Sequence, residues 1–125
     1  MLPETRGKTY IQRIVSVYSD LFKDKYGFYP TVNYGHTGKL IQQLIDNKTE
    51  LQIASLLIVF FDWAGITGGD EFERDKLLKA CYPFGWFYSS INQYEVWLRN
   101  VYKLEFDNEE VVREFVAKSL LSLKK

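Results

Sequence analysis

At 125 residues the chain has the length of a single domain, and 46% hydrophobic with 26% charged residues is the balance of a globular protein. Sixteen Lys/Arg against sixteen Asp/Glu leave a formal net charge of zero, which speaks against a non-specific nucleic-acid binder with a basic excess. One cysteine, Cys81, excludes an intramolecular disulfide, and the longest apolar run, Ile53 to Phe61, is too short to span a bilayer.

The first ten residues contain no apolar signal core, so a soluble, cytoplasmic protein is expected, with residues 1–7 loosely ordered. From there the chain reads as helices. Over residues 8–25, Ile11, Ile14, Val15, Tyr18 and Phe22 follow the helical period, and Gly27 ends the segment. Residues 27–38 hold three glycines and Pro30 and read as a loop, with Phe28, Tyr29, Val32 and Tyr34 expected to dock it onto the body. A short helix from about Thr37 to Asn47 carries Leu40, Ile41, Leu44 and Ile45 on one side. Thr49-Glu50-Leu51-Gln52 fits a capping box and opens a helix over residues 50–64 that is apolar nearly all round, the mark of a buried central helix.

Asp70 is expected to cap a helix over 71–80 that turns Phe72, Leu77 and Leu78 inward, and Pro83 and Gly85 then interrupt. From Gly85 to Leu104, Phe87, Ile91, Tyr94, Leu98 and Val101 recur at four, three, four and three, which predicts one continuous helix. A last helix over 108–123 starts at Asn108, places Glu109 and Glu110 in its first turn, and lines Val112, Phe115, Val116, Leu120 and Leu123 along one stripe. The expected fold is a compact all-α domain of five or six helices across residues 1–125.

No cofactor fingerprint or catalytic set stands out. Gly35-His36-Thr37-Gly38-Lys39 precedes a helix, but it is two residues too short for a Walker A loop, and Leu40 stands where a hydroxyl would hold magnesium. What survives is a phosphate contact by Lys39, His36 and the amides of this loop, set against a plain helix start. His36 has no second histidine for a zinc site, so no metal is expected, and Cys81 reads as a small buried apolar residue. Asp70, Glu71, Glu73 and Asp75 are interleaved with Arg74 and Lys76 and read as a solvated helix. On the 85–104 helix, Asn92, Gln93, Arg99 and Lys103 lie opposite the aromatic stripe. Asn and Gln match adenine edges and Arg matches guanine or phosphate, so the set is a candidate for nucleic-acid contact, or else simply a polar outer face. In "YPFGWFYSS", most rings are expected in the core, while Tyr82, Trp86 and Tyr88 leave the stripe and form a candidate partner-binding patch.

Residues 18–63 resemble small bacteriophage-encoded domains of replication proteins, the replisome organisers and helicase-loader-like accessories. The shared pieces are Tyr26-Gly27-Phe28-Tyr29-Pro30, Gly38-Lys39-Leu40-Ile41-Gln42-Gln43-Leu44, and the capped apolar helix from Thr49 through Trp63. Pro83 to Tyr94 fits the same pattern more loosely. The resemblance implies a non-enzymatic role in a DNA transaction in the host cytoplasm, with DNA or a DNA-bound replication protein as partner and no catalytic residue to carry over. The zero net charge departs from typical DNA binders and keeps a second expectation open: an inhibitor or adaptor of a host protein that acts through exposed aromatics.

Overall fold

The computed structural model describes residues 9–32, 34–62 and 84–123, and among them the fold is all α, six helices with no strand. The expected 71–80 helix, its Asp70 cap, the acidic run 70–75, Cys81 and Tyr82 lie outside the described residues.

Helix α1 spans Tyr10–Tyr26. Its start is a capping box: the Thr9 hydroxyl accepts from the Gln12 amide at 3.2 Å, and the Gln12 side chain accepts from the Thr9 amide at 3.0 Å. Its end is Gly27 at φ 85°, a left-handed position that costs glycine little, with the Gly27 N–H on the Lys23 carbonyl at 2.7 Å. Helix α2 spans Tyr34–Ile45 and begins three residues earlier than expected. Residues 34–38 of the expected loop are therefore helix. In that geometry the amides of Gly38 and Lys39 bond back to the carbonyls four residues before them, so they are not presented to a phosphate.

Helix α3, Glu50–Asp62, is the axis of the fold and touches α1, α2 and two later helices. The expected cap is in place, with reciprocal bonds between Thr49 and Gln52 at 3.0 and 3.1 Å. Gln52 also reaches outward, where its Nε2 donates to the Phe106 carbonyl at 3.1 Å and ties a distant turn to the start of α3. Leu51 and every residue from Ile53 to Phe61 are buried, including Ser55, whose hydroxyl is satisfied by the Gln52 carbonyl. A helix apolar on all sides must be covered on all sides.

The expected continuous helix over 85–104 is two helices, α4 (Phe84–Ser89) and α5 (Ile91–Asn100), parted at Ser90 with φ −114° and ψ 18°. Serine hydroxyls compete for backbone carbonyls, and Ser89 Oγ does so, donating to the Trp86 carbonyl at 3.2 Å. The inward stripe keeps Phe87, Tyr94 and Leu98, but Val101, expected inside, is 53% exposed because α5 has already ended. Helix α6, Glu109–Ser122, starts at Asn108, whose side chain accepts from the Val111 amide at 3.3 Å; α5 and α6 both pack on α3. Val112 and Val116 are buried, and Phe115, Leu120 and Leu123 pack at the core's edge.

Rings bind these helices together. Tyr18 of α1 meets Phe61 of α3 and Phe84 of α4 at centroid distances of 5.6 and 5.4 Å. Phe60 meets Phe87 and Tyr94, each at 5.4 Å, and Phe87 stacks on Tyr94 with 9° between planes. Part of "YPFGWFYSS" is thus core: Phe84 and Phe87 are buried. One polar link runs through the same interior, where the Arg13 guanidinium of α1 forks onto the Glu50 carboxylate of α3. At the far end of α3, the Tyr102 hydroxyl donates to the Asp62 carboxylate. Burial first, and that bond second, push the Tyr102 pKa well above its ordinary value. Among the described residues no helix is long and apolar enough to cross a membrane.

Candidate binding surface

The connection from α1 to α2 exposes what it was expected to bury. Phe28, Tyr29 and Tyr34 are 57%, 58% and 59% exposed, while Val32 is partly buried against the core. The reason is local. Gly27 ends α1, and beside Val32 the connection is held by Phe28 against Phe22, in T-shaped contact at 5.5 Å. Pro30 fixes its own φ and holds Tyr29 to extended backbone. The result is a short, stiff ledge that carries rings into solvent. The Lys23 ammonium sits 4.5 Å from the centroid of the Tyr29 ring, a cation–π pair at an exposed site.

The other candidates are dispersed over several elements. His36 and Lys39 are exposed one turn apart on α2, on the helix that continues the ledge. Asn92 and Gln93 are exposed on the first turn of α5. Trp86 is 37% exposed, and Tyr88 is half-buried with its hydroxyl donating to Gln43 Oε1 at 2.5 Å, so this pair offers one partly open indole and one tethered phenol.

Arg99 is engaged by its own chain. Its guanidinium lies 3.5 Å from Glu95, 3.4 Å from Asp107, and over the Phe106 ring at 5.3 Å. It lines an open depression with Glu105, Phe106, Asp107, Asn108 and Glu109, an acidic rim in which Glu109 also pairs with Arg113 at 2.7 Å. That electrostatic setting disfavours phosphate. Glu95 also meets Lys48 at 3.6 Å, so Lys48, Glu95, Arg99 and Asp107 form one chain of ion pairs.

Lys103 follows α5 at φ 55°, the one non-glycine positive φ among the described residues, and this turn lets the Leu104 amide reach back to the Leu98 carbonyl at 2.9 Å. A Cβ in this region costs roughly 1 kcal/mol. Lys103→Gly is therefore expected to raise stability by up to about 1 kcal/mol in chemical denaturation, against a loss if the side chain were needed for packing.

Among the described residues no group of three or more His, Cys, Asp or Glu is placed to hold a metal ion. Sequence reasoning misses the ledge because its aromatic residues resemble core residues; the signal that could have found it is Tyr-Pro after a helix-ending glycine, which commits the chain to leave the body. No protein-family model matches the chain, and no curated protein or solved structure matches it either.

Proposed function

We propose that this chain is a non-catalytic accessory module of a DNA transaction that docks, through the α1–α2 ledge, on DNA or on a DNA-bound replication protein. The observation that carries this reading is the exposure of Phe28 and Tyr29 on one short connection, with Lys23 beside Tyr29, and of Tyr34 at the first position of α2. Exposed aromatic side chains are candidate contact sites, since aromatic anchors dominate binding energy. A stiff connection also loses little freedom when it binds. The resemblance to phage replication accessory domains supports the DNA setting, and its Tyr26-Gly27-Phe28-Tyr29-Pro30 piece is the ledge itself. Lys39 and His36 supply the polar flank; Arg99 is left out because its charge is already matched by Glu95 and Asp107.

Formaldehyde cross-linking in bacterial cells that make a tagged chain tests this reading. The tagged protein should carry DNA, and a Phe28→Ala/Tyr29→Ala/Tyr34→Ala variant with an unchanged melting curve should carry at least about tenfold less. A wild-type chain that recovers no DNA overturns it. The second reading, an inhibitor or adaptor of a host protein acting through the same rings, is favoured by the zero net charge. It predicts cross-linked protein without DNA.

A further inference from the structure

We infer that the ledge takes an unpaired nucleic-acid strand, with bases stacked on its rings and phosphates met by Lys23 and Lys39; this rests on the binding role proposed above. Stacking needs ring surface open to solvent: Phe28 and Tyr34 are more than half exposed, and so is Tyr29, although the Lys23 ammonium takes one of its faces and leaves the other for a base. A duplex keeps its base faces inside its own stack, so it has nothing to lay on these rings. Duplex recognition would fall instead to base edges and many phosphate contacts, for which this neutral chain is poorly equipped.

The placement of charge fits the same ligand. The Lys23 ammonium over the Tyr29 ring puts a cation beside a stacking platform, where the phosphate next to a stacked base would lie. Lys39 is exposed on α2, on the helix that begins with Tyr34. Asp20 and Asp24 are exposed on the same turns of α1 as Lys23, so the local positive charge is small. That combination predicts binding carried more by stacking than by counterion release. Part of the site is also held in advance: Pro30 restricts the backbone next to Tyr29, and Phe28 packs against Phe22.

Fluorescence anisotropy of a dye-labelled thymidine oligomer with the purified full chain tests this, with a duplex of the same length as comparison. The oligomer should bind, and the duplex should bind at least about tenfold more weakly. Two phosphate contacts on a single strand give a log–log salt slope of about −1.4, so affinity should fall only about sevenfold between about 50 and 200 mM salt. Tyr29→Ala and Tyr34→Ala should each weaken binding by about five- to a hundredfold, while Tyr29→Phe and Tyr34→Phe, which keep the ring, should bind like wild type. No binding of the oligomer at low salt, equal binding of the duplex, or indifference to the alanine variants overturns the inference. DNA cross-linked in cells without an anisotropy change on the purified chain overturns it too, and leaves docking on a DNA-bound protein standing. Loss of both signals overturns both readings.

Discussion

Phe60→Ala should lower the free energy of unfolding by about 4 kcal/mol and the melting temperature by roughly 15 °C. Phe60 has no exposed surface and sits where three helices meet, with Phe61, Phe87 and Tyr94 around it at centroid distances of 5.3 to 5.4 Å. Truncation removes the transfer energy of the ring and leaves a cavity. Rings that pack in T-shaped and tilted contacts on several sides cannot all move in to fill it. A loss of about 4 kcal/mol is a large part of the stability of any small domain, so Phe60→Leu is the companion variant, expected to cost about 1.5 kcal/mol because it keeps most of the filling. Urea titration followed by circular dichroism reads both. The ledge gives the contrast: Tyr29→Ala removes a ring that is mostly in solvent and should change stability by less than about 0.5 kcal/mol. Ring losses in the core and on the ledge thus separate packing from recognition.

The elements with chemical punctuation are legible in the sequence. α3 and α6 begin where Thr49 and Asn108 begin them, because a capping side chain acts within three residues and needs no tertiary partner. The same signature, Thr9 followed by Gln12, stands at the start of α1, although periodicity alone places that start one or two residues early. The break at Ser90 is not legible. Phe87, Tyr94 and Leu98 stay inside on both sides of it, and a hydrophobic period that survives a one-residue distortion does not report it.

The candidate site is less legible, for a different reason. Whether an aromatic faces in or out depends on what the rest of the chain brings to it. Phe22 and Phe28 are six residues apart and equally apolar, yet one is 5% and the other 57% exposed, because Tyr18, Tyr26 and Phe61 surround Phe22 while Phe28 rests on Phe22 beyond the end of α1. Arg99 reads in sequence as a free cation on a polar face. Its partner Asp107 arrives from beyond the end of α5, after a turn made by Lys103 that no local rule announces. The helical state of Tyr34 to Lys39 is hidden by its two glycines, which count as loop residues in isolation but are tolerated where a helix packs on neighbours.

Arg13→Ala should cost about 3 kcal/mol, and the reason lies in what it leaves behind. Arg13 and Glu50 side chains are 10% and 17% exposed, and the guanidinium meets the carboxylate with two bonds, one of them Nε to Oε2 at 2.7 Å. Such a fork joins the first turn of α1 to the first turn of α3, across 37 residues. Removing the arginine leaves a carboxylate with little water and no fork, and only the start of the α3 dipole to soften it. Arg13→Lys keeps the charge but not the planar pair of donors and should cost about 1 kcal/mol. The decisive variant is the double one, Arg13→Met with Glu50→Leu, which removes both desolvated charges and fills the space. It should fall within about 1 kcal/mol of wild type, well above Arg13→Ala, in the same urea titration. A double variant as unstable as Arg13→Ala would mean that the bond itself stabilises the fold; one close to wild type means that the pair adds little net stability over an apolar contact. Since the connection carrying Phe28 and Tyr29 begins at the opposite end of α1, about 20 Å along the helix from Arg13, all three variants should bind the thymidine oligomer like wild type at temperatures where they remain folded.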